Sequence, residues 1–131
     1  MSYLLDTNAV IALMKGDPAF LTRLRARRPQ DFFLSAIVEH ELFYGAYKSQ
    51  RVTENLARVA ALQFEVLPFD SEDAQASGRI RAVLGSEGTP IGPYDVLIAG
   101  QALARGLVLI TRNLREFQRV PGLMAEEWQG G

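Results

Sequence analysis

The sequence predicts an α/β domain, a parallel central sheet held in a three-layer α/β/α arrangement, and three observations carry that prediction. Short apolar runs alternate with helix-period segments along the chain, which is the order a parallel sheet with right-handed crossovers requires. Two of those runs, Tyr3-Leu4-Leu5 and Leu107-Val108-Leu109-Ile110, end abruptly in polar triplets, Asp6-Thr7-Asn8 and Thr111-Arg112-Asn113. With 131 residues and 48% hydrophobic content, residues 1–131 make one domain able to bury about two-thirds of its unfolded surface. No internal repeat or low-complexity tract interrupts the pattern.

Each element has a local justification. Tyr3 to Leu5 is a buried strand, and Ala9 to Met14 form a helix that Gly16 ends. Asp17-Pro18 starts a second helix as N-cap and first residue, and Pro29 ends it. Asp31 to Ser35 is the second strand and flows into a helix from Ile37 to Gly45. Thr53 caps the next helix, in which Leu56, Val59, Ala60 and Leu62 or Phe64 recur at helical spacing. Glu65 to Phe69 is a short or edge strand, because Pro68 cannot donate to a central ladder. Ser71, with Asp73 or Ala74 behind it, opens a helix through about Leu84. The segment from Gly85 to Pro93, with three glycines and two prolines, is a loop. A nearly all-apolar helix then starts at Tyr94-Asp95 and stops at Gly106. Leu107 to Ile110 is the clearest strand of the chain, a short turn containing Phe117 follows, and Leu123 to Trp128 is a last strand candidate.

Composition narrows the classes of function. The chain has no cysteine, which excludes a disulfide framework and thiolate metal sites and fits a reducing cytoplasm. No basic region followed by an apolar stretch opens the chain, and no apolar run approaches about 18 residues, so a soluble, cytoplasmic protein is expected. The net charge of −1 hides three arginine patches: Arg23, Arg25, Arg27 and Arg28; Arg79 and Arg81; Arg112, Arg115 and Arg119. Arginine runs on helices lay their stems over the core and keep their heads in water. Three such patches also leave phosphate binding open.

Acidic or amide groups stand beside apolar elements at Asp6, Glu41, Asp95 and the pair Asn113 with Glu116. Singly, each has a structural use. Asp6 and Asp95 can be N-caps worth about 1 kcal/mol each, Glu41 a solvated helix residue and Asn113 a turn former. If three carboxylates converge, the balance changes, because two unit charges about 4 Å apart repel by roughly 4 kcal/mol at an effective dielectric near 20. Such a cluster needs a bound proton or a cation. With oxygen ligands only, Mg²⁺ or Mn²⁺ fits, and water on such an ion is a nucleophile for in-line phosphodiester displacement. Thr7 and Asn8 cap the first helix or hold a water or phosphate at its N-terminus. His40 reads as a surface residue, and Phe117 and Trp128 as core.

At these residues the chain resembles PIN-domain ribonucleases of the VapC toxin type. The matching stretches are Leu5 to Asn8; Ser35-Ala36 with Glu41 to Ala46; Asp95 to Ala99; Ile110 to Asn113 with Glu116-Phe117; and then Gly122-Leu123 and Glu127-Trp128. They occur in family order nearly end to end. The resemblance implies a homodimeric α/β/α endoribonuclease that binds Mg²⁺ or Mn²⁺, cuts structured RNA such as a transfer RNA, and is held in check by a cognate antitoxin. Asp6, Glu41 and Asp95 match the first three acidic positions, with Asp6 and Asp95 as metal ligands. Asn113 falls where many members carry a fourth acid, and Glu116, three residues on, shares a face with it if the turn is helical. Thr7, Asn8, Thr111 and Arg112 flank the pocket as supporting residues.

Two other readings compete. A phospho-acceptor receiver domain is also a doubly wound sheet with an acidic pocket, but its chemistry calls on a lysine beside the phosphate, and this chain has none after Lys48. The other reading keeps the PIN-like fold as a partner-binding protein whose catalysis was lost through Asn113.

Overall fold

A computed structural model of the chain describes residues 1–129; Gly130 and Gly131, the last two residues of the expected 1–131 domain, lie outside the described residues. Five strands form one parallel sheet: β1 (Tyr3–Leu5), β2 (Phe32–Ser35), β3 (Glu65–Leu67), β4 (Val108–Ile110) and β5 (Ala125–Glu126). Their order is β3-β2-β1-β4-β5. The chain therefore leaves β1 toward β2 and β3 on one side and returns later to place β4 and β5 on the other. The crevice above the ends of β1 and β4 is the topological switch point of the sheet, where ligands of open α/β folds bind.

Seven α-helices join the strands: α1 (Thr7–Lys15), α2 (Pro18–Arg25), α3 (Ala36–Tyr47), α4 (Val52–Ala60), α5 (Ser71–Ser86), α6 (Pro93–Arg105) and α7 (Leu114–Phe117). Gly106 closes α6 at φ 65°, a left-handed conformation that glycine adopts without a Cβ clash, and Leu107 then enters β4. Most expected boundaries hold within a residue or two, and the exceptions have local causes. Asp31 lies in a 3₁₀ turn ahead of β2. Thr53 is inside α4, not its cap, because the preceding turn is tied by Ser49, which donates to the Ala46 carbonyl (2.6 Å) and accepts from Asn55 Nδ2 (2.9 Å). Asp70, not Ser71, caps α5 through a capping box with Asp73: each side chain accepts the other's backbone N–H, at 3.0 and 3.1 Å. The last strand is shorter than the Leu123 to Trp128 run.

Both ends of the fold are pinned by apolar burial. Leu4, Leu5, Val10, Phe20, Phe32, Leu109, Ile110, Phe117 and Trp128 are almost fully buried, and each large side chain contributes on the order of 2 kcal/mol. Trp128 packs on Tyr3, Phe20 and Phe32 with ring centroids 5.1, 5.8 and 5.9 Å apart. Arg27 lies 4.4 Å over the Trp128 ring and donates from Nε to the Tyr3 hydroxyl at 2.9 Å, while Arg23 donates to the Glu127 carbonyl. Within the first arginine patch, Arg27 thus caps an aromatic cluster around the start of β1, not the crevice beyond its end, and Arg28 pairs with Asp31, so phosphate binding does not follow from these residues.

The pairing of α5 with α6 is the most extensive between helices. It depends on Gly100: a Cβ there would sit 2.6 Å from the Ser77 backbone. Next to this contact, buried Asp73 accepts from Gln101 Nε2 (3.0 Å) and from Arg105 Nε and Nη2 (3.2 and 3.0 Å), and Arg105 also donates to the Pro68 carbonyl at 2.9 Å.

Candidate active site

Register delivers the first part of the site. Leu5 lies level with Leu34 on β2 and Ile110 on β4, so Asp6 and Thr111 emerge together past the strand ends, level with Ser35 at the end of β2. Asp6 donates its backbone N–H to the Ile110 carbonyl at 3.1 Å, and its carboxylate caps α1 by accepting the Ala9 N–H at 2.8 Å. Asp6, not Thr7 or Asn8, therefore fills the cap position. That frees Thr7, whose hydroxyl donates to Glu41 Oε1 on α3 at 3.0 Å. Glu41 is half-buried and held, not the freely solvated helix residue its position in the sequence also allowed. Asn8 is exposed on the first turn of α1.

Asp95 arrives from the other side. Pro93 takes the first position of α6 with Gly92 before it, so Asp95 is the third helical residue and does not act as the N-cap. Gly92 sits close over it: a Cβ there would be 3.1 Å from Asp95 Oδ2. The Gly92 N–H donates to Glu116 Oε1 at 2.9 Å, and Asn113 Nδ2 donates to Glu116 Oε2. The helical turn of α7 has brought Asn113 and Glu116 onto one face, as their spacing predicts. Thr111 joins the two halves, because its hydroxyl accepts the Asn113 N–H at 2.9 Å and bonds the Asp6 carboxylate. Arg112 is exposed beside this turn.

Four carboxylates, Asp6, Glu41, Asp95 and Glu116, thus share one electrostatic environment. Burial pushes Asp6 up to about 6, and the charge of Glu41 adds to it, against the hydrogen bonds from Thr111 and the Ala9 and Asn8 backbone. Asp95 is also pushed up to about 6, first by burial and then by Glu116, Asp6 and Glu41. Among the described residues none of the four forms a salt bridge. Nor are three histidine, cysteine, aspartate or glutamate side chains gathered there closely enough to cage an ion unaided. An all-oxygen set of one or two carboxylates with room for water suits Mg²⁺ or Mn²⁺, which keep several waters when bound. A cation also supplies what these acids lack.

Residues 3–123 match the PIN domain family, and the tRNA(fMet)-specific endonuclease VapC of Salmonella typhimurium is 43% identical over 130 residues, 98% of each chain. The chain belongs to the PIN domain family, among the VapC ribonucleases. The enzyme of the same name from Shigella flexneri is 40% identical, again over 98% of each chain. Among solved structures, DNA-bound VapBC from Salmonella typhimurium superimposes with a TM-score of 0.92 at 43% identity, covering 98% of both chains. The PIN fold explains why Asp6, Glu41, Asp95 and the Asn113 turn come from four elements spread along the chain yet meet at one sheet edge. What sequence reading missed were the connections: Thr7 to Glu41, Gly92 to Glu116, and Thr111 bridging Asp6 and Asn113. Each spans a gap in the chain, or uses a backbone N–H, which no side-chain pattern announces.

Proposed function

We propose that this VapC-family protein is a Mg²⁺- or Mn²⁺-dependent endoribonuclease that hydrolyses phosphodiester bonds of a transfer RNA in the cytoplasm. Within one nuclease domain over 1–131, Asp6 and Asp95 hold the ion, Glu41 supports it and orients water, and Asn113 with Glu116 completes the far side. The observation that carries this reading is the meeting of four acids at the switch point without a cationic side chain among them. When bound, the metal polarises a phosphoryl oxygen and provides a nucleophilic water. Thr7 fixes the Glu41 carboxylate, Thr111 fixes that of Asp6, and Gly92 leaves open the approach to Asp95. Asn8 and Arg112, exposed on either side, meet the flanking RNA backbone, giving an affinity that falls with salt.

The names of the relatives support the RNA substrate, the VapBC complexes support a cognate antitoxin as partner, and a homodimer is the assembly expected of the chain. The test is cleavage of purified transfer RNA by the purified chain with Mg²⁺, Mn²⁺ or EDTA, accompanied by a thermal shift. Cleavage and a higher melting temperature with either ion, both lost in Asp6→Asn, are expected. Unchanged cleavage in EDTA would sink the metal assignment. No cleavage under any condition by a folded chain that still binds its antitoxin would sink the nuclease reading.

A further inference from the structure

The acidic pocket has a rim that this chemistry leaves unused. His40 and Tyr94 are the residues immediately before Glu41 and Asp95, on α3 and α6, and their rings meet with centroids 5.7 Å apart at an interplanar angle of 54°. The pair faces water, with Tyr94 47% exposed and His40 exposed. Tyr94 also lines an open cleft of ≈ 470 Å³ between α5 and α6, with Phe69 and Leu97 as apolar walls and Arg81 as its cation. Clefts of about 300–1,000 Å³ suit small organic groups. Among the described residues Arg81 has no salt bridge, so its guanidinium is available to an anion.

An aromatic face, an apolar wall and an arginine are what an unstacked nucleobase and its phosphate call for: the base stacks on the ring and the guanidinium meets the phosphate. Position fixes which base. Tyr94 and Asp95 are consecutive on α6, and neighbouring helical side chains diverge, so a base on Tyr94 belongs to a nucleotide flanking the phosphate over Asp95. We infer that His40, Tyr94 and Arg81 form a nucleobase cradle beside the acidic pocket, taking a splayed-out RNA base next to the phosphate that is cut. The cradle rests on RNA being the substrate. It adds to that reading how a structured RNA is opened locally and held.

The experiment uses Asp6→Asn protein, in which cleavage is expected to be slow enough for binding to be read first, and a short single-stranded RNA oligonucleotide spanning the mapped cut. Adding Tyr94→Ala should weaken Kd by roughly 5- to 150-fold, the range of one base–aromatic stack. Tyr94→Phe should bind like the parent, and His40→Ala should shift Kd in the same direction by less. Placing an abasic site at the flanking nucleotide should weaken the parent and erase its difference from Tyr94→Ala. Unchanged affinity in Tyr94→Ala overturns the cradle, and so does an equal loss on base-bearing and abasic RNA, which marks a structural role. Altered self-association of Tyr94→Ala by sedimentation velocity, with RNA affinity intact, also overturns it by assigning the rings to a protein interface. Failure of the nuclease reading shows separately, as absent cleavage by protein that keeps Asp6.

Discussion

Asp6 and Asp73 are both buried aspartates at the start of a helix that follows a strand, Asp6 as the N-cap of α1 and Asp73 in the first turn of α5, yet their surroundings are opposite. Asp73 is buried completely, which by itself raises its pKa, but hydrogen bonds from Arg105, the Asp70 backbone and Gln101, together with the Arg105 charge, bring it below the usual carboxylate range. Asp6 receives hydroxyl and amide bonds but no cation, faces Glu41, and is pushed up to about 6. One carboxylate is paired within the fold; the other is left wanting a positive charge. A structural acid and a candidate catalytic acid are therefore told apart by their partners and not by burial.

The largest effect that could break this contrast is on turnover. Asp6→Asn or Asp95→Asn should lower RNA cleavage by roughly 100-fold or more, as removing one electrostatic contributor from a reacting site does, while Asp73→Asn should leave it nearly unchanged. Initial rates of the three variants would decide, and equal losses would erase the distinction. Next is stability. Arg105→Ala leaves Asp73 without its cation and should cost about 2–3 kcal/mol, below the 3–5 kcal/mol of a fully buried pair because Arg105 keeps one face in water, read as a lower urea midpoint with cleavage retained by the folded fraction.

The response to pH should also run in opposite directions. Between the ordinary value of 3.8 and about 6, the metal-free folded chain holds protons at Asp6 and Asp95 that the unfolded chain has released, so their contribution to stability falls as pH rises through that window. Asp73 contributes stability that is present above 3.8 and lost as pH falls through its lower folded value. Asn caps helices as well as Asp, so Asp6→Asn should stabilise the metal-free protein at pH 7 by up to about 3 kcal/mol and have little effect at pH 4. Melting curves at the two pH values check this; destabilisation at pH 7 would contradict it. A gain in stability with a loss of activity is the usual exchange at a functional site.

The smallest effect concerns the far side of the pocket. Asn113 now donates to Glu116, and Gly92 holds the other Glu116 oxygen. Asn113→Asp replaces that donor with a second acid, so divalent ions should bind a few-fold more tightly, at the cost of a looser Glu116. Calorimetric titration with Mn²⁺ would show it, and unchanged affinity would place Asn113 and Glu116 outside the ion's reach.

Local pattern carried much of this. Apolar runs mark the strands, Pro93 the start of α6 and Gly106 its end, because caps and periodicity are decided within a few residues. The acids were visible too, since Asp6 and Asp95 stand where apolar segments begin or end. The sequence by itself determined the α/β order and the candidate carboxylates. It did not determine which acids are paired. Arg105 reaches Asp73 across 32 residues, Thr7 reaches Glu41 across 34, and Glu116 accepts from Gly92 across 24. Arg27 reads as a phosphate ligand in the sequence, but in the fold its guanidinium lies over the Trp128 ring. The sign of a carboxylate's pKa shift is set by charges within a few ångströms, and only the tertiary structure decides which distant residues come that close.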